Sequence, residues 1–210
     1  MADIFTITNT LGSFATNCYT VVNSSSREAV IIDPADRGDF LINMCKEQKI
    51  KPVAVFLTHG HIDHIGALFE IREFYPDIKV YAGAAEEKVL KDSRLNLSAM
   101  FGGPVEEKAD IYVEDGKVID ILGTSVKCIN VPGHTIGGTC YYFEAEKLLF
   151  SGDTLFAGSV GRSDFPTGDE NALLDAIEKK LFVLPEDVTV YPGHNQRTTI
   201  KREKAGNPFF

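Results

Sequence analysis

Residues 53–66 read V-A-V-F-L-T-H-G-H-I-D-H-I-G, and this stretch decides the fold. From Val53 to Leu57 it is apolar and β-branched enough to form a buried strand. Beyond Thr58 the residues are chemical: His59, His61, Asp63 and His64 fall within six positions. In the extended end of a strand alternate residues share a face, so His59 and His61 point to one spot. A helix beginning near Asp63 turns the chain and aims Asp63 and His64 at a neighbouring spot. Imidazole nitrogen and carboxylate oxygen suit zinc or a similar divalent cation. The stretch therefore offers half-sites for two metals rather than four ligands for one. Of the five histidines in the chain, three are here.

Working outward, strands are expected over 3–8, 17–22 and 28–32, with the turn N-S-S-S-R (23–27) separating the last two. A helix over 38–48 shows Phe40, Leu41, Met44 and Cys45 at helical spacing, with Asp39 as its cap. A second helix over 64–75 turns Ile65, Leu68, Phe69 and Ile71 inward and stops at Pro76. A strand over 78–82 and a helix over 84–92 follow. The apolar segment 93–104, broken by Gly102, Gly103 and Pro104, reads either as a packed surface loop or as a wall over the site. Strands return over 110–150, with hairpins expected at Asp115-Gly116 and Gly123-Thr124; a helix over 169–182 and a strand over 188–191 complete the order. Strands in two blocks, each with helices behind it, predict an α/β chain of two sheets packed face to face with helices on the outer faces. No linker or low-complexity stretch separates the halves, so residues 1–210 are expected to form one domain.

The composition, 44% hydrophobic and 24% charged, allows a sizeable core. A net charge of −9 argues against general nucleic-acid binding. The N-terminal M-A-D-I-F-T-I-T lacks the basic and apolar regions of an export signal, and no apolar run approaches a membrane span. Cys18, Cys45, Cys128 and Cys140 are scattered without a C-x-x-C pair, which predicts reduced core thiols in a cytoplasmic protein.

The other two histidines sit in an echo, V-P-G-H (131–134) and Y-P-G-H (191–194), each after a β-rich run. Asp153 follows the apolar strand at 148–150. One carboxylate has two oxygens and can bridge two cations. The expected assignment is His59, His61 and His134 on one metal, Asp63, His64 and His194 on the other, with Asp153 shared. Two cations sharing a water lower its pKa from about 15.7 towards 7, giving a metal-bridging hydroxide at neutral pH that can attack a carbonyl carbon. Asp63 could also place the attacking water, a catalytic role beside its metal one. Zinc is the first choice of metal, iron or manganese the alternatives. Arg162 is a candidate anchor for a substrate carboxylate, with an ion pair to Asp164 or Asp169 as the competing reading. Arg197, Lys201, Arg202 and Lys204 read as a solvated helix end. No G-x-S-x-G elbow, P-loop or G-x-G-x-x-G occurs.

The runs T-H-G-H-I-D-H, P-G-H-T, S-G-D-T and P-G-H together resemble the metallo-β-lactamase superfamily over the whole length. The resemblance implies a four-layer αβ/βα sandwich of two mixed sheets with a dinuclear site at one edge. G-R-S-D-F-P-T-G-D (161–169) and T-T-I-K-R-E-K-A-G-N-P-F (198–209) are similar to the small hydroxyacylglutathione hydrolase (glyoxalase II) type. That type implies a small-molecule thioester substrate resembling S-lactoylglutathione. Two departures are visible: the chain ends soon after His194, without the helical domain of larger glyoxalase II enzymes, and an aspartate stands where many β-lactamases carry cysteine. Alternatives within the same superfamily are a mononuclear iron persulfide dioxygenase, using only His59, His134 and Asp153, and a lactonase. The oligomeric state is not legible.

Overall fold

The computed structural model describes residues 3–101 and 103–210; Met1 and Ala2 of the N-terminal stretch and Gly102 of the Gly-Gly-Pro break lie outside them. The first half runs β1 (Ile4–Leu11), β2 (Thr16–Asn23), β3 (Glu28–Ile32), α1 (Gly38–Glu47), β4 (Lys51–Phe56), α2 (Ile62–Ile65), α3 (Leu68–Phe74), β5 (Lys79–Gly83), a 3₁₀ turn (Ala84–Glu86), α4 (Glu87–Leu90) and β6 (Ile111–Val113). The second runs β7 (Val118–Ile121), β8 (Thr124–Asn130), β9 (Thr139–Phe143), β10 (Leu148–Gly152), β11 (Leu155–Phe156), β12 (Ser159–Val160), α5 (Glu170–Ala176), β13 (Thr189–Pro192), β14 (Thr198–Thr199) and α6 (Ile200–Gly206). Strands β1 to β6 form one mixed six-stranded sheet in sequence order, and the other is ordered β14-β13-β10-β9-β8-β7. β11 and β12 make a separate small hairpin.

Side-chain alternation builds the four layers. In β3, Val30 and Ile32 join Phe56, Tyr141, Phe143 and Phe150 in the core between the sheets. Ala29 and Ile31 face the other way, onto Leu41, Cys45, Leu68 and Ile71 of α1 and α3. The second sheet does the same, turning Leu149 and Val190 onto Leu173, Ile177 and Ile200. Each fully buried large side chain of this kind contributes roughly 1.5–3 kcal/mol. The expected sandwich with outer helices is therefore present. All four cysteines are buried free thiols. Among the described residues no helix is long and apolar enough to cross a membrane.

Several local expectations are corrected. The helix expected over 64–75 is two, broken at Gly66, where a Cβ would stand 2.3 Å from the Ala35 carbonyl. Ala67 then donates its N–H to Pro34, and Phe69, expected inward, is 67% exposed. Asp39 does not cap α1: the cap position is Arg37, at φ 53°, and Asp39 pairs with it from the first turn. Phe40 faces outward on the same helix. The helix expected over 84–92 shrinks to the 3₁₀ turn and α4. Asp115-Gly116 is no hairpin, because β6 and β7 lie in different sheets; it is the crossing between them. The β7–β8 hairpin exists, but its turn centres on Leu122-Gly123. Asp169 caps α5 by accepting from Ala172 N, and the helix widens into a π turn over Ile177–Leu181.

Direction, more than layering, positions the site. β3, β4 and β5 are mutually parallel, and β10 is parallel to β13. β8 runs antiparallel to β9, which runs antiparallel to β10, so β8 points the same way as β10. The chain past the C-terminal ends of β4, β8, β10 and β13 carries every histidine and Asp153. Tyr141 donates across the sheets to Leu57 O at 2.9 Å, and Tyr19 donates to Pro192 O at 2.6 Å. These two hydroxyls hold the strand ends in register with each other.

Candidate metal centre

Three overlapping groups bring donor atoms within 4.8 Å of one another: His59, His61 and His134; His59, His64 and Asp153; and Asp63, His64 and His194. His61 Nδ1 is 3.0 Å from His134 Nε2. On the other side, Asp63 Oδ2 is 3.6 Å from His64 Nε2 and 3.3 Å from His194 Nε2. Asp153 lies between them, with Oδ1 3.4 Å from His64 Nε2 and Oδ2 3.7 Å from His134 Nε2 and 3.4 Å from His194 Nε2. All seven residues read from the sequence as metal ligands thus converge.

The donor set fits divalent cations. His59 Nε2, His61 Nε2, His64 Nε2 and Asp153 Oδ1 are buried and have no hydrogen-bond partner among the described residues. Such orphaned buried atoms are costly unless something else binds them. Two ligands at about 2.1 Å on a tetrahedral ion lie ~3.4 Å apart, close to the separations above. Gly193 makes room for the cluster: a Cβ there would sit 2.2 Å from Asp153 Oδ1 and 2.6 Å from His64 Cε1.

Neighbouring groups set the tautomers. His134 Nδ1 donates to the Arg162 carbonyl at 2.7 Å, since a carbonyl can only accept, which leaves Nε2 free to ligate. His64 Nδ1 lies 2.9 Å from Asp33 Oδ2, with the same consequence. Asp33 also accepts from Thr58 N at 2.8 Å and Thr58 Oγ1 at 2.6 Å. Having spent its proton on Asp33, the Thr58 oxygen accepts from His59 Nδ1 at 3.2 Å, freeing His59 Nε2. Thr16 Oγ1 donates to Asp63 Oδ2 at 2.9 Å. Glu86, fully buried, accepts from Gly60 N, Thr135 Oγ1 and Gly137 N, and so joins the loop of His59 and His61 to that of His134. Asp33, Thr58, Thr16 and Glu86 were not read from the sequence as parts of the site. Only Asp33-Pro34, an acid directly after a buried strand, gave a local signal.

The electrostatics divide the cluster in two. Burial, reinforced by neighbouring imidazoles, keeps His59 well below the usual range and His61 at about 3, so both are neutral imidazoles. Burial also lowers His134, against the pull of Asp153. On the carboxylate side burial again opposes charge on His64, but Asp63, Asp153 and Asp33 together outweigh it and hold His64 well above its ordinary value. His194 is raised to about 9, burial being overcome by its bonds to Asp153 and Asp63. Asp63 falls to about 2 despite burial, through His64 and His194. Protons on His64 and His194 thus balance charge where a cation would displace them.

Arg162 is at the rim rather than in the cluster. Its guanidinium makes two 2.7 Å bonds to Asp164, and no bond to Asp169 was found among the described residues. Beside the centre lies a cleft of about 440 Å³, walled in part by Leu97 and Phe101 of the 93–104 segment, which is therefore a wall of the site. Asn96 pins that segment by donating to Val105 O at 2.8 Å. Lys201, Arg202 and Lys204 are exposed on the C-terminal helix, as expected of a solvated helix end, while Arg197 is exposed in the loop just before β14.

Comparison with known proteins agrees with this geometry. The chain is 37% identical over 201 residues to the probable metallo-hydrolase YqgX of Bacillus subtilis, covering 95% of this chain and 94% of that one. It is 32% identical to the hydroxyacylglutathione hydrolase GloC of Haemophilus influenzae, over 94% and 93% of the two chains. Among solved structures, the BLEG-1 B3 metallo-β-lactamase superimposes with a TM-score of 0.92 at 38% identity, covering 98% and 99% of the two chains. TTHA1623, solved in a di-iron-bound form, gives 0.85 at 32% identity over 97% and 100%. Residues 11–194 match the sequence profile of the metallo-β-lactamase superfamily, and the chain belongs to that superfamily.

Proposed function

We propose that this protein is a metal-dependent thioester hydrolase related to the hydroxyacylglutathione hydrolases, working in the cytoplasm with two divalent cations held by His59, His61, His134, Asp63, His64, His194 and Asp153. The observation that carries it is the convergence of two half-sites on one carboxylate, Asp153. Bound there, a pair of divalent cations would supply Lewis acidity and an ionised water at neutral pH. The protein's own part is positional. Asp33, through His64 and Thr58, and the Arg162 carbonyl, through His134, keep lone pairs facing inward. Asp63, whose Oδ2 accepts from Thr16 Oγ1, is the carboxylate that would hold and orient a water for attack. No histidine remains to act as a separate general base, in keeping with chemistry centred on the cations.

A mononuclear iron dioxygenase would leave His61, Asp63, His64 and His194 without a task, and the mutual proximity of the last three favours the dinuclear reading. Zinc is the first expectation; the di-iron neighbour keeps iron in the comparison. The test is elemental analysis coupled to turnover of S-lactoylglutathione, before and after chelation. Two metals per chain, loss of turnover in chelator and recovery on adding zinc or iron support the proposal. One iron with oxygen uptake on a persulfide overturns it. A lactone and a β-lactam in the same panel test the other hydrolytic activities, the second because of the BLEG-1 neighbour.

A further inference from the structure

The wall of the cleft is aromatic and almost without free charge. Phe165 meets the His61 ring edge to face at 5.8 Å, and Phe156 stands against His194 at 6.3 Å. Phe14, from the β1–β2 loop, and Phe101 pack edge to face at 5.1 Å across the mouth. Leu97 and Val160 fill the wall between them, and Ser159 and Asn195 are neutral polar lining residues. Arg162 is the one arginine or lysine among the described lining residues; the histidines there, His61, His134 and His194, belong to the donor cluster at the floor of the cleft. Its fork is occupied by Asp164 through two bonds, and its flat face covers Phe165 at 3.9 Å. A carboxylate on a substrate arm would therefore lie against phenyl rings without a free cation, which is costly. The chain's net charge of −9 adds a field that disfavours anionic arms. An aryl or alkyl arm instead gains burial and edge-to-face contacts.

We infer that the cleft selects thioesters whose thiol arm is apolar and uncharged, over thioesters of the doubly carboxylated tripeptide thiol glutathione. This rests on the thioesterase reading above. Hydrolysis forms one C–O bond from water and breaks the C–S bond, its electron pair leaving on sulfur; one proton of water ends on the thiol and the carboxylic acid releases the other to solvent. Selection acts before that step, on which arm the four rings accept.

A matched pair isolates the arm: benzyl thioacetate and S-acetylglutathione share the acetyl group. With the metal-loaded enzyme, kcat/KM for benzyl thioacetate is expected to exceed that for S-acetylglutathione by about tenfold or more, the scale on which apolar pockets discriminate. Phe156→Ala and Phe165→Ala, both at half-exposed positions, should each lower the benzyl value about tenfold with much less effect on the glutathione ester. Asp164→Asn, which releases the Arg162 fork, should lower KM for S-acetylglutathione alone. Benzylacetone, the non-hydrolysable ketone with CH₂ for sulfur, should bind the metal-free protein by ligand-observed NMR and lose that binding in Phe165→Ala. Equal or preferred turnover of S-acetylglutathione overturns the inference while leaving thioesterase activity standing. Turnover of neither ester, with metal bound, overturns the thioesterase reading and this inference with it.

Discussion

Asp33 Oδ2 lies 2.9 Å from His64 Nδ1, although Asp33 directly follows β3 and His64 sits in α2, beyond β4. The same carboxylate takes both the N–H and the hydroxyl of Thr58, which in turn orients His59. One buried acid therefore fixes the tautomers of a candidate ligand in each half-site. Asp33→Asn keeps the shape but cannot accept from His64 and Thr58 together through its NH₂ group. Metal affinity, measured by competition with a chromophoric chelator, should fall roughly 10- to 100-fold. Far-UV circular dichroism should not change. Unaltered affinity would remove the orienting role.

Gly193 is a steric requirement of the Pro-Gly-His motif. Its missing Cβ leaves the space that Asp153 Oδ1 and His64 Cε1 approach. Gly193→Ala should displace Asp153, reduce bound metal by at least one per chain on elemental analysis, and cost about 1–3 kcal/mol of stability from overpacking. Full metal content in this variant would show that the loop yields more easily than the packing implies.

What was legible in the sequence is what local periodicity carries. The histidine spacing brought His59 and His61 to one spot, although β4 ends at Phe56 and both lie in the loop beyond it rather than on an alternating strand; Pro-Gly-His marked strand ends that the sheet order then brought to one edge. What was not legible depends on distant partners. Asp33 meets His64 across 31 positions, and Glu86 meets Gly137 across 51. The break at Gly66 is set by the Ala35 backbone, and the meaning of Asp115-Gly116 by which sheet each neighbouring strand joins. A turn signal states that the chain bends; only the pairing says whether it returns to the same sheet. Arg162 is the mixed case: its carbonyl supports His134, while its side chain, the part singled out, is occupied by Asp164.

Glu86 gives a pH signature. Burial pushes its carboxyl from the ordinary 4.5 up to about 7, with Gly60, Thr135 and Gly137 pulling the other way. The folded state then binds more protons than the unfolded one between those values, so this group's contribution to stability falls as pH rises from 4.5 to 7 and is flat above. The full swing is about 3 kcal/mol. Glu86→Gln cannot ionise, yet its amide faces donors. It should be less stable than the natural protein at pH ~5, with the gap narrowing towards pH ~8. Urea unfolding in chelator across that range measures it, and a constant gap would mean that Glu86 does not titrate there.

Glu203 is buried in α6, where its carboxylate accepts from Thr198 Oγ1, from Gly158 N at 2.8 Å and from Asn207 Nδ2 at 2.9 Å. Asn207 Nδ2 also donates to Ser159 O at 3.0 Å. Gly158 and Ser159 belong to the β11–β12 hairpin, and Ser159 and Val160 line the cleft. The C-terminal K-R-E-K-A-G-N-P-F run thus holds a substrate wall in place and touches no metal-ligand side chain through these bonds. Asn207→Ala frees that wall, so KM should rise several-fold with kcat and metal content nearly unchanged, the pattern of lost uniform binding. Glu203→Ala leaves three donors unpaired and should cost more, about 1–3 kcal/mol for each that water cannot reach. Steady-state kinetics beside elemental analysis separates the two roles: a matching loss of kcat and metal in Asn207→Ala would place the clasp on the centre itself instead of on its wall.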